Sequence, residues 1–131
     1  MTTTLEKTEA ETLFYDALCN GMYYISGYGL QFDYSDKDYT KAKKELVKEG
    51  KEGSICREDV WMKILHIGGK LTLIDVECDG EYTRSIGIND VYENINLVDG
   101  QTILDALNEN GDAGHADIIL QTVFYKEIIF G

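Results

Sequence analysis

The chain of 131 residues carries 12 basic and 24 acidic side chains, a net charge of −12, with 44% hydrophobic and 27% charged residues. Those proportions belong to a folded globule rather than a disordered tail, and no apolar run approaches the roughly 18 residues that span a bilayer. So negative a chain repels nucleic-acid phosphates and anionic lipid, which argues against direct nucleic-acid or membrane binding and in favour of basic partners.

The charge is uneven. Residues 1–36 hold one Lys and six acids (−5), residues 37–57 hold seven bases and four acids (+3), and residues 58–131 hold four bases and fourteen acids (−10). From 71 onward only Arg84 and Lys126 stand against twelve acids. The polar start "MTTTLEKTEAET" lacks the basic-then-apolar pattern of a signal peptide. Three widely spaced cysteines, Cys19, Cys56 and Cys78, suit reduced thiols, so the expected location is cytoplasmic. With no proline, repeat or low-complexity linker, residues 1–131 read as a single domain.

In chain order, Thr8 with Glu11 forms a capping pair for a first helix whose apolar stripe is Leu13, Phe14, Ala17 and Leu18, stopped at Asn20-Gly21. "MYYISGYGLQF" is rich in aromatic and β-branched residues and reads as a strand bent near Gly27 and Gly29. Alternation along it would put Tyr24, Tyr28, Leu30 and Phe32 on one face and Tyr23 with Ile25 on the other. Ser35 and Asp38 cap a second, lysine-covered helix with a thin face of Tyr39, Ala42 and Leu46 that ends at Gly50. "KEGKEGS" reads as a connector, and a third helix over Arg57 to Ile67 presents Val60, Trp61, Ile64 and Leu65 before Gly68-Gly69.

In "LTLIDVECDGEYTRSIGI", a two-residue turn at Asp79-Gly80 would make a hairpin over 70–88. Leu71 would face Ile88, Leu73 would face Ile86, and Asp75 would face Arg84. Reading the same acids as a calcium loop fails, because position 12 is Ile86 instead of a bidentate Glu and both flanks are strands. Asp90 with Glu93 suggests a short helix turning Val91, Tyr92 and Ile95 inward. Another helix is expected from Thr102 to Asn110, and a last one holding Ala116, Ile119, Leu120, Val123 and Phe124. The expected fold is α+β: a mostly antiparallel sheet packed with about five short helices.

Sites of chemistry are sparse. His66 and His115 share no ligand spacing and there is no Cys-x-x-Cys, so neither a metal nor another cofactor is expected. Cys19 falls at a helix C-terminus, where the dipole disfavours a thiolate, whereas Cys56 opens a helix beside Arg57. A reactive Cys56 would still need His66 or His115 as its base. Carboxylates are too many for any pair to stand out, and "SGYGL" lacks the glycines and the Gly-Lys-Ser/Thr ending of a phosphate loop.

What remains is surface. Tyrosine gives large contact area at low entropic cost, making Tyr23, Tyr24, Tyr28 and Phe32 candidates for an interaction surface. The acids Asp99, Asp105, Glu109, Asp112 and Asp117 would be its charged part. The leading expectation is a non-enzymatic module docking on a basic protein surface. One alternative is a nucleic-acid mimic that inhibits a DNA- or RNA-binding protein, of the kind a phage or mobile element could use. Another is an enzyme built on Cys56 or an acidic cleft. An exposed edge in the tyrosine-rich strand would also permit a homodimer.

Overall fold

A helix whose apolar residues fall on more than one face must be enclosed by the rest of its domain. The 13-residue stretch "AGHADIILQTVFY" forms such a helix, and the fold is arranged around it. The computed structural model describes residues 4–50, 53–108 and 112–131. In chain order the elements are α1 (Lys7–Asn20), α2 (Met22–Gly27), β1 (Leu30–Asp33), α3 (Asp36–Lys48), α4 (Arg57–His66), β2 (Leu71–Asp75) and β3 (Arg84–Ile86), then α5 (Ile88–Asn94), a single 3-10 turn (Ile95–Leu97), α6 (Gly100–Leu107) and α7 (Ala113–Tyr125). This is an α+β fold, as the sequence implies, with seven α-helices among the described residues where five were expected. The sheet is small and antiparallel, ordered β1-β2-β3.

α7 touches α1, α2, α5, α6, β3 and the 3-10 turn. It buries Ala116, Ile119, Leu120, Val123 and Phe124, the residues its periodicity selects. α1 supplies the opposing stripe of Leu13, Phe14, Ala17 and Leu18. α4 buries Val60, Trp61, Ile64 and Leu65, and packs on α1, α3 and β2. Each large apolar side chain removed from water contributes about 1.5–3 kcal/mol, so these three helices hold the core together.

The caps explain the helix boundaries. Ser35 Oγ accepts the Asp38 N–H as the sequence suggests. α1 begins earlier than expected: Glu6 N–H donates to Glu9 Oε1 (3.2 Å), and Glu11 instead reaches His66 and Tyr92. α5 is also shifted, because Asp90 is not its cap but accepts the Gly87 N–H at 2.8 Å from the third helical position. α6 starts at Gly100 behind the cap Asp99. The last part of its expected span, 109–110, lies outside the described residues.

The tyrosine-rich segment departs most from expectation. Met22–Gly27 is helical, and only Leu30–Asp33 is strand. Gly21 lets α1 and α2 follow each other closely against α7, since a Cβ there would lie 2.7 Å from Leu120 Cδ1. Ile25 then becomes fully buried. A helical turn satisfies its own backbone where no neighbouring strand is available to do so.

The hairpin of β2 and β3 is present, but its turn is not two residues long. Leu71 faces Ile86, Thr72 faces Ser85 and Leu73 faces Arg84, two residues away from the expected register. The same side chains still point inward, because an even shift preserves the faces. The cause is Asp75. Its Oδ1 accepts the N–H groups of Glu77 (3.0 Å) and Cys78 (2.8 Å), and its Oδ2 accepts that of Tyr82 (3.1 Å). Asp75 N–H in turn donates to Thr83 Oγ1 at 3.0 Å. Residues 76–83 therefore close as a loop on one carboxylate, with Asp79 and Gly80 in the left-handed region. Arg84, expected to pair with Asp75, donates to the Glu81 and Thr83 carbonyls instead.

Hydrogen bonds, led by that from Cys78 N–H, hold the Asp75 carboxyl below its ordinary value of 3.8. A depressed folded-state pKa means that the loop's contribution is fully present above about pH 4 and is lost as pH falls through the folded value. Asp75→Asn should lower the melting temperature at neutral pH by several degrees. It should also flatten the acid-side decline of that temperature below about pH 4, measured by circular dichroism melts across the acid range. A second test concerns Gln121, which is fully buried. Its Oε1 accepts the Ile129 and Phe130 N–H groups, and its Nε2 donates to Asp117 and the Phe130 carbonyl. Gln121→Leu orphans those partners and should cost at least about 2 kcal/mol in urea denaturation.

Candidate functional site

From Ser85 to Tyr125 the chain contains seven acids and no Lys or Arg. This stretch builds α5, the 3-10 turn, α6 and α7, so one region of the fold is acidic by construction. Within it α6 is amphipathic yet buries only Thr102. Leu104 and Leu107 are 52% and 41% exposed, as is Leu97 (57%) on the adjoining 3-10 turn. Spacing along α6 puts Ile103, Leu104 and Leu107 on one face.

Opposite that face lies the beginning of α1. Leu5 N–H donates to Asn96 Oδ1 at 3.0 Å, and Asn96 Nδ2 donates to the Tyr92 carbonyl at 2.9 Å. These bonds anchor the segment before α1 on the 3-10 turn. Between the two walls runs a cleft of about 640 Å³, lined by Leu5, Val98, Ile103, Leu104 and Leu107 with Glu9 as its charged residue.

Three of the expected acids hold α6 and α7 in place. Asp99 Oδ1 accepts the Thr102 hydroxyl at 2.7 Å and Oδ2 accepts its N–H at 3.0 Å. Those two bonds hold its carboxyl below the usual range. Asp105 accepts from Gln101 Nε2 at 2.8 Å and lies 3.3 Å from His115 Nε2, tying α6 to α7. Asp112 caps α7 by accepting the His115 N–H at 3.1 Å, a bond that lowers its pKa, while its own N–H donates to His115 Nδ1 at 3.0 Å. Glu109 lies outside the described residues. Asp117 is not a surface acid: it is buried, accepting from Tyr28 OH at 2.7 Å and Gln121 Nε2 at 3.0 Å.

The aromatic candidates are likewise divided. Tyr23 is 85% exposed and meets Tyr24 (39%) edge to face. Tyr28 is stacked on Phe130 with centroids 5.0 Å apart, and burial together with its bond to Asp117 pushes its phenol up to about 12. Phe32 stacks on Trp61 at 4.8 Å and abuts Phe124, facing the core. A single surface joining all four rings does not form, because Tyr23 and Tyr24 project from a helix while Phe32 lies on a strand.

The catalytic alternative finds its groups dispersed. Cys56 caps α4 with its Sγ 3.5 Å from Tyr15 OH, which also donates to Asp59 at 2.8 Å. His66 ends the same helix, and ten residues at 1.5 Å rise put it about 15 Å away. There it meets Glu11, whose other oxygen accepts from Tyr92 OH. Desolvation, aided by nearby carboxylates, pushes the Cys19 and Cys78 thiols up. Among the described residues no three His, Cys, Asp or Glu side chains are placed to hold a metal ion.

The apolar cleft is the feature that pattern reading passes over. Its signal is an amphipathic helix with more leucine than its short length can bury, set in an acid-only stretch. Because Asp99 is the cap that fixes α6, Asp99→Ala should cost about 1 kcal/mol. It should also speed amide exchange in 100–107 more than in α1, read by hydrogen-exchange mass spectrometry.

Compared with protein-family models, curated proteins and solved structures, the chain matches none.

Proposed function

We propose that this chain is a non-enzymatic docking module that presents the acidic region of residues 85–125 to a basic surface on a partner protein. The observation that carries the reading is segregation of charge. Seven acids and no Lys or Arg occupy 85–125, while Lys37, Lys41, Lys44 and Lys48 recur on one stripe of α3. α3 packs on α4, whereas α6 packs on α7, so the two signs belong to different parts of the fold. A charge distribution of that kind steers and orients an encounter with a basic partner.

Docking is favoured over mimicry of a nucleic acid by where the carboxylates are used. Asp75, Asp90, Asp99 and Asp112 each turn an oxygen to a backbone N–H group, so their spacing follows helix caps and a loop rather than a phosphate-like row, while their charge still adds to the field that a basic partner meets. It is favoured over catalysis by a Cys56–His66 pair by the distance between the two along α4.

The test is affinity capture from the native host's lysate, treated with nuclease, at about 0.1 M and then about 0.5 M salt. A partner rich in Lys and Arg, retained at low salt and released at high salt, is the expected result. Glu93→Lys, at an exposed position of the acid-only stretch, should weaken that capture a few-fold without moving the melting temperature. Capture that is insensitive to salt would contradict the reading.

A further inference from the structure

We infer that the cleft between the start of α1, the 3-10 turn and α6 receives an amphipathic helix of a partner protein, with an apolar stripe flanked by Lys or Arg. The inference rests on the docking reading above and names the element that the acidic region recognises.

The apolar half of the match is on the cleft's walls. Leu5, Val98, Ile103, Leu104 and Leu107 line it. Leu104 and Leu107 lie three residues apart on one face of α6, half in water although α7 beside them is almost wholly enclosed. Leu97 on the neighbouring 3-10 turn is exposed as well, so three leucines of adjoining elements stand uncovered beside the cleft, a candidate interaction surface. The walls offer side chains rather than a strand edge, so an extended peptide would find no ladder for its backbone. A helix satisfies its own backbone and can lay side chains at i, i+3, i+4 and i+7 along such a groove.

The charged half is on the rim. Glu9 lines the cleft, Glu6 caps the same end of α1, and Asp99 caps α6. Among the described residues no Lys or Arg lines it, and the nearest in sequence, Lys7, is held over the Tyr92 ring at 5.1 Å. An acidic rim around an apolar floor selects a helix with basic flanks and rejects an acidic one. It also disfavours a second copy of this chain: two −12 molecules repel. The lysine stripe of α3 does not serve as the missing helix either, because the apolar residues of α3, Ala42 and Leu46, are already buried.

The test uses three peptides of about 18 residues, long enough for several helical turns. One is Leu/Lys with leucines at amphipathic spacing, one is Leu/Lys of the same composition scrambled to destroy the stripe, and one is Leu/Glu with the amphipathic spacing. Fluorescence anisotropy near 0.15 M salt should show saturable binding of the patterned Leu/Lys peptide. The scrambled peptide should bind at least about tenfold more weakly, and Leu/Glu should not bind. Leu104→Ser with Leu107→Ser should weaken the patterned peptide at least about tenfold. Both side chains are half exposed, so the melting temperature should hold, and peptide-induced amide shifts in the unaltered protein should fall within 4–9 and 95–107. Equal binding of patterned and scrambled peptides, or an unaffected double variant, would overturn the cleft while leaving salt-dependent docking intact. Self-association abolished by the double variant would also overturn it, by making a second copy the occupant. Failure of every peptide together with failure of the lysate capture would remove both proposals.

Discussion

Enclosure of α7 is the constraint on which the rest of the fold depends. Nine of its residues are buried, and three of those, Asp117, Gln121 and Thr122, are polar. An apolar helix can be surrounded by any well-packed neighbours, but one with buried polar groups must also have them satisfied. Gln121 meets that demand by accepting the Ile129 and Phe130 N–H groups at its Oε1 and donating twice from its Nε2, to Asp117 and the Phe130 carbonyl. Asp117 joins it to the Tyr28 hydroxyl, and Tyr125 OH donates to the Tyr82 carbonyl. α2, the loop before β3 and the C-terminal segment are thereby located relative to one helix. Such a network specifies one arrangement more sharply than apolar contact alone.

The contrast between α7 and α6 is what motivates the proposed docking site. α6 fully buries only Thr102, packs Ile103 and Ala106 partly against the core, and is tied by the Asp99 cap and a carboxylate–imidazole contact to α7. Elements with few buried contacts are the ones that open most readily and that binding can order further. On the proposed reading, the leucines exposed there belong to a surface that a partner covers. On that same reading, the like charge of 85–125 opposes self-association through that apolar surface, and the same field attracts a basic partner.

Much of this was legible in the sequence wherever a single signal decided the outcome. Leu13, Phe14, Ala17 and Leu18, then Val60, Trp61, Ile64 and Leu65, then the inward residues of α7, all follow from helical spacing and are buried as read. The Ser35 cap follows from side-chain chemistry. Legibility ended where two signals competed. In "MYYIS" the β-propensity of tyrosine and isoleucine lost to a helix made possible by the close approach at Gly21. The hairpin register could not be deduced from cross-strand pairing, because the Asp75 carboxylate collects three loop N–H groups and lengthens the turn. Asp117 looked like one more surface acid because nothing local distinguishes a carboxylate that a distant tyrosine will bury. The cleft went unread for a related reason: the leucines of α6 have the spacing of a core stripe, and only the fold shows them uncovered.

The central claim is that the acidic, leucine-bearing region around α6 is the working surface of this protein. The most direct measurement is hydrogen exchange of the chain alone and in complex with the partner captured from its host. The account predicts protection concentrated in 95–107 and in the segment entering α1, with α3 unchanged. Protection on the lysine stripe of α3 or over Tyr23 and Tyr24, with α6 exchanging as before, would contradict it.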